Sequence, residues 1–218
     1  MSKVKKTKMP NFLLVGAKMM MFAIAITLVF ASCGGDDNKG KLPIDPEYPF
    51  ANAYFGIKAG TIVYSTENYL DEENSDIKII FDDYGKKFRY ETHEIVMISD
   101  EDAQKQYTLL PATRQYTEVG YGMSSLRYGF TYIGDEVNLV WQYYPDFSKS
   151  NRTIAGKNCS VCKWTDEDDE KWEWGGWQRI TFLYSVIRDS QVEKFEAKSI
   201  IESAPANSFV PPSDYTKI

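Results

Sequence analysis

The sequence predicts a mainly β domain of the α+β class, with little helix. Three observations carry this. Hydrophobic and polar residues alternate with a period of two in several short runs, the signature of strands with one buried face. Turn-forming clusters such as Asp82-Asp83-Tyr84-Gly85 separate those runs. Aromatic residues are abundant, and all 15 Tyr and all 5 Trp lie beyond residue 33, a composition suited to strands.

The N-terminus reads differently. Lys3, Lys5, Lys6, Lys8 and Lys18 form a positive flank with no acidic residue, and Met19 to Cys33, MMMFAIAITLVFASC, is an apolar run ending in small residues. The run stops well short of the ~20 apolar residues that a spanning helix needs, so a cleaved secretory leader over residues 1–32 is the expectation rather than a transmembrane anchor. Its end, Phe30-Ala31-Ser32-Cys33, resembles a bacterial lipobox, with Phe30 where Leu is usual. The resemblance implies cleavage before Cys33 and attachment of diacylglycerol to its sulfur. A lipobox cysteine carries more than one acyl chain, at about 0.8 kcal/mol per buried CH₂, which makes attachment lasting. The following Gly34-Gly35-Asp36-Asp37-Asn38 resembles the surface-export signals of Bacteroidetes-type lipoproteins. Read instead as a solvated linker, it leaves the periplasmic and surface faces of the outer membrane equally open.

Five of the 25 basic residues and none of the 31 acidic ones lie in the leader, so the remainder carries 20 against 31, a formal charge near −11. That balance argues against a nucleic-acid partner or an anionic lipid surface, which select a basic face. Residues 33–50, with Pro43, Pro46 and Pro49, read as a tether that holds the domain roughly 20 Å from its anchor. A single domain is expected over 51–218.

Within it, Gly56 to Ser65 alternates as a strand. Asp76 to Phe81 and Lys86 to Thr92 form a hairpin about the Asp82–Gly85 turn, with Ile77, Ile79 and Phe81 on one face and Phe88, Tyr90 and Thr92 on one face of the return. His93, the only histidine, sits with Lys87, Arg89 and Glu91 on the solvent side. Glu94 to Ser99, Gln106 to Leu110 and Gln115 to Val119 continue the meander, and Gly120 to Tyr132 reads as a loop over the sheet. Asp135 to Pro145 reads as a helix, capped by Asp135, stopped by Pro145 and striped with Val137, Val140, Trp141 and Tyr144, although a strand would alternate almost as well. Further strands are expected at Thr153 to Ala155, Cys159 to Trp164, Lys171 to Trp174, Trp177 to Val186 and Glu193 to Glu202, with a Gly175-Gly176 turn.

Cys159 and Cys162 form a C-x-x-C, but residues i and i+3 of a strand point to opposite faces, too far apart for a disulfide. Two buried or half-buried thiols are expected there, in preference to a disulfide, a redox pair or half a zinc site. Asp166 to Glu170, DEDDE, lacks the spacing and the glycine of a calcium loop and reads as a solvated hairpin tip. No nucleophile elbow, metalloprotease helix or phosphate loop is present, so no enzyme, metal or cofactor is expected.

Phe55-Gly56-Ile57-Lys58-Ala59-Gly60, Ile80-Phe81-Asp82-Asp83-Tyr84-Gly85, Ile154 to Cys159, and Glu196 to Ile201 with Phe209-Val210-Pro211-Pro212, taken in order, make the domain similar to the LolA/LolB-like lipoprotein-carrier superfamily. The resemblance implies a strongly curved antiparallel sheet, a half-open β-barrel, with one or two helices on its concave side and an apolar cavity for acyl chains between them. The Val137, Val140, Trp141 and Tyr144 stripe would then roof the cavity. An anchored cysteine suits an acceptor or sensor better than a soluble shuttle. The sequence also supports a glycan-binding lipoprotein, with Trp172 and Trp174 on one strand face as a stacking platform, or a structural or assembly role through a sheet edge.

Overall fold

The computed structural model describes residues 53–69, 76–121, 125–134 and 143–218. Cys33, the leader, the tether and the stretch holding Val137, Val140 and Trp141 lie outside the described residues.

Twelve strands form one large, open, curved sheet: β1 (Gly60–Glu67), β2 (Asp76–Asp82), β3 (Lys87–Glu91), β4 (Val96–Asp100), β5 (Lys105–Leu110), β6 (Gln115–Gly120), β7 (Ser148–Ile154), β8 (Lys157–Thr165), β9 (Lys171–Trp177), β10 (Ile180–Arg188), β11 (Gln191–Ile201) and β12 (Thr216–Lys217). Among the described residues between β6 and β7 lies one α-helical turn, α1 (Ser125–Gly129). The spatial order is β12-β6-β5-β4-β3-β2-β1-β11-β10-β9-β8-β7. Two meanders, β1–β6 and β7–β11, are therefore zipped together along β1 and β11, with a register shift between Val63 and Tyr64. Every pairing is antiparallel except β12 with β6.

The alternation seen in the sequence becomes two faces. Ile62, Tyr64 and Thr66 of β1, Ile77, Ile79 and Phe81 of β2, and Phe88 and Tyr90 of β3 are buried on what we call the inner face. In a flat sheet β3 and β11 would stand three intervals, or ~14 Å, apart. One ring, Phe130, nevertheless lies 6.0 Å from Tyr90 of β3 and 5.4 Å from Phe195 of β11, centroid to centroid, so the sheet curls around it. The outer face has its own core. Val96, Ile98 and Leu109 are buried there beneath Phe209 and Tyr215 of the C-terminal segment.

Turn chemistry sets the register. The Asp82 carboxylate accepts the Asp83 N–H at 2.8 Å, and Tyr84 and Gly85 take φ of 56° and 91°. The Gly175-Gly176 turn expected from the sequence is not formed. Both glycines lie inside β9, and the reversal falls at Gln178-Arg179, each with positive φ (52° and 58°). Gly176 is small for a different reason: a Cβ there would stand 2.2 Å from Cγ of Tyr132. β7 also runs longer than expected, because six of its seven residues are exposed and polar, as suits an edge strand, and so give no alternation. The expected loop at 120–132 contains α1.

Candidate binding face

Among the described residues, the inner face is covered by part of the connection between β6 and β7. That part begins with α1 and continues through Phe130 to Gly134. Phe130 enters a nest of Tyr64, Phe88, Tyr90 and Phe195, with centroids 5.3–6.2 Å apart among the contacting rings. The backbone is stitched to the β9–β10 turn: Thr181 N–H donates to Phe130 O at 2.8 Å and Tyr132 N–H to Arg179 O at 2.9 Å. Phe130 thus fills the centre of the inner face.

Towards β8 and β9 the lining becomes indole-rich. Tyr132, Cys162, Trp164 and Trp174 form a buried cluster against which Ile133, Tyr144, Phe147 and Trp172 pack. Tyr144, the one residue of the predicted stripe that is described, is half-buried in this group. Its phenol is held above the ordinary value by desolvation and by the nearby Glu167, Asp166 and Asp168 carboxylates. Trp164 and Trp172 are stacked, 5.7 Å between centroids and 2° between planes. The pairing is dictated by register, because the two residues face each other across β8 and β9.

The proposed glycan platform divides. Trp174 is 8% exposed, meets Tyr132 edge-on and donates its indole N–H to Thr181 Oγ1 at 3.2 Å, so it presents no open face. Trp172 is half-buried, stacks on Trp164, donates to Asp166 Oδ2 at 2.7 Å, and has the Arg188 guanidinium 5.4 Å from its centroid.

Other polar groups have structural duties. Cys159 and Cys162 are buried thiols, not joined in a disulfide, on opposite faces of β8, as their spacing predicts; burial pushes the Cys159 thiol up to about 11, well away from a reactive thiolate. Asp166 caps its own turn, accepting from the Asp168 and Glu170 N–H groups at 3.0 Å each. Among the described residues no group of three or more His, Cys, Asp or Glu is arranged to hold a metal ion. His93 is exposed beside Glu94, 3.7 Å away.

Arg127 carries no sequence signal, yet it is the largest fully buried side chain among the described residues. Its Nη1 donates to Glu101 Oε2, and its Nη2 to Ser99 Oγ and Tyr121 OH, all at 3.2 Å, while the guanidinium carbon lies 4.2 Å from the Tyr54 ring centroid. A lone arginine in a glycine-rich, aromatic stretch reads as solvated until the fold shows what surrounds it.

Neither a protein-family model nor a curated protein matches the chain. Among solved structures, similarity is found to an uncharacterised conserved protein from Thermus thermophilus, at TM-score 0.46 and 7% identity over 74% of this chain and 90% of that one. It is also found to MucB in complex with MucA(peri), at TM-score 0.41 and 11% identity, and to the Pseudomonas aeruginosa MucA/MucB complex, at 0.37 and 13%. Each of the latter two matches spans 72% of this chain but only 55–56% of the other. Likeness at this level assigns the chain to no family.

Proposed function

We propose that the chain is a non-catalytic binding protein of a bacterial cell envelope, anchored in the outer membrane through acylated Cys33, whose curved sheet holds a hydrophobic ligand, a lipid or acyl chain, against its inner face. One observation carries the binding reading. The inner face is lined with aromatic and aliphatic side chains, and among the described residues its cover is the short 125–134 segment, which holds one helical turn. Such a cover exchanges for a ligand of like polarity at small cost in contacts, because rings leaving the face are replaced by methylenes. The ligand would enter at the indole-rich end, where Tyr144, Phe147 and Trp172 are only partly buried.

The anchoring reading rests on the lipobox resemblance and on the acidic, proline-containing tether that follows it. Native mass spectrometry of the protein from its own membranes tests both halves. The expected result is a diacylglycerol mass at Cys33 together with a retained lipid. Quenching of tryptophan fluorescence by a fatty acid brominated along its chain tests the site itself, since Trp164 and Trp172 line it. A protein free of lipid, with unquenched tryptophans, overturns the binding reading. Membrane retention of Cys33→Ser overturns the anchor.

A further inference from the structure

We propose that the Arg127–Glu101 pair is the latch that keeps the inner face closed, so that ligand entry is governed by the release of a buried guanidinium. The proposal builds on the ligand-binding reading above and names its control. Arg127 is 1% exposed, whereas the Glu101 side chain, in the turn between β4 and β5, is 33% exposed. Glu101 is the only carboxylate that contacts Arg127 among the described residues. The other contacts are neutral: the Ser99 and Tyr121 hydroxyls and the Tyr54 ring, whose own hydroxyl donates to Glu101 Oε2 at 3.3 Å. A buried cation is tolerated only with its counter-charge and hydrogen bonds in place, and deleting the partner leaves an uncompensated charge. The closed cover therefore depends on one solvent-reachable carboxylate.

The charge is coupled mechanically to the rings that fill the face. The carbonyl of Arg127 accepts both the Phe130 N–H, at 3.1 Å, and the Thr131 hydroxyl, at 3.1 Å. The guanidinium thus pins the residue from which the turn carrying Phe130 and Tyr132 is hydrogen-bonded, and its release removes the charged anchor of that turn. A latch built from packing alone would yield gradually. This one has two states, because a guanidinium is stable in its nest with Glu101 or in water, and in few places between.

The test uses the full chain and three forms: wild type, Glu101→Gln, and the double variant Arg127→Met with Glu101→Leu, which removes both charges. Hydrogen exchange is followed at amides 126–134, with β1 and β2 as the internal reference, together with binding of a fluorescent polyene fatty acid. For E101Q, exchange at 126–134 is expected to rise at least about tenfold while β1 and β2 stay protected, with fatty-acid binding strengthened in step. The double variant is expected to return exchange towards the wild-type rate. Unchanged exchange at 126–134 in E101Q, or a rise spread equally over β1 and β2, overturns the latch. Selective exchange with no fatty-acid binding by any form leaves the latch standing and sinks the ligand reading. If E101Q does not fold, Glu101→Asp, which keeps the charge but shortens its reach, is read by the same criteria.

Discussion

The two faces of the sheet are covered by chain segments of opposite character. On the outer face the C-terminal segment is stitched down along its course. Thr61 Oγ1 donates to Ser203 O at 2.9 Å, Arg89 Nη1 to Ser208 O at 3.2 Å, Thr216 N–H to Arg114 O and Ile218 N–H to Tyr116 O at 2.9 Å each. Phe209 and Tyr215 then cover Val96, Ile98 and Leu109. On the inner face the 125–134 segment has two backbone bonds to the β9–β10 hairpin, two inserted rings, Phe130 and Tyr132, and one buried ion. A cover held by distributed hydrogen bonds opens only with the strands beneath it, whereas one held by a few concentrated contacts opens as a unit. The outer cover is fastened along its length, and the inner one at a few points, as the proposed ligand exchange requires.

The comparison breaks most sharply at Phe130. Phe130→Ala removes a ring that is 1% exposed and touches four other rings, and about 3–5 kcal/mol of stability is expected to go with it, measured by urea unfolding. If the inner face exchanges its own ring for a ligand, a saturating fatty acid restores part of that loss in the variant and adds less to wild type. Equal stabilisation of both forms would mean that the ligand, if it binds, binds elsewhere. Gly176→Ala comes next. A methyl group there overlaps Tyr132 Cγ, Tyr132 Cβ and Ile180 O at 2.2–2.5 Å, so the cover is displaced at its indole end, with about 1–3 kcal/mol lost and a shifted emission from Trp174. The outer counterpart, Phe209→Ala, truncates a half-buried ring for roughly 1–2 kcal/mol. It is expected to leave exchange at 126–134 unchanged, since nothing in its contacts reaches the inner face.

How much of this was legible in the sequence follows the same division. The β2–β3 hairpin was readable because Ile77, Ile79, Phe81, Phe88 and Tyr90 alternate with polar residues and the turn between them uses Asp and Gly. The fate of Cys159 and Cys162 was readable from strand geometry alone. The β9–β10 reversal was not, because Gln178 and Arg179 adopt left-handed backbone without the glycine or asparagine that usually marks it, while the Gly175-Gly176 pair, which looks like a turn, exists to admit Tyr132. β7 was under-read because an edge strand carries no hydrophobic period. Arg127 was invisible, since its importance comes from Ser99, Glu101 and Tyr54, which are distant in sequence and brought together only by the curl of the sheet. Of the predicted binding stripe, Tyr144 joins the indole cluster.

The smallest effects are the pH dependence of stability and the alkylation of the two thiols of β8, and the second separates the faces. Burial raises the Cys159 thiol from its ordinary 9.0 to about 11, and the Tyr54 phenol from 10.0 to about 12. Below pH 9 both groups are neutral folded or unfolded, and the advantage of burying them is intact. Above that, the unfolded chain gives up protons that the folded chain still holds, so stability falls as pH climbs through 9 to 11 for the thiol and 10 to 12 for the phenol. A stability that rose over this range would contradict the burial of both groups. Cys162, opposite Trp174 and 3.7 Å from the Tyr132 hydroxyl, lies under the inner cover, while Cys159 faces away from it. Alkylation at pH 8 is therefore expected to be slow at both sites in the wild type, and loosening the inner cover with Gly176→Ala should speed it at Cys162 while Cys159 stays slow, a difference read directly by mass spectrometry of the labelled peptides. Equal acceleration at the two thiols would show that β8 itself had opened, and that the inner cover is no more separable from the sheet than the outer one.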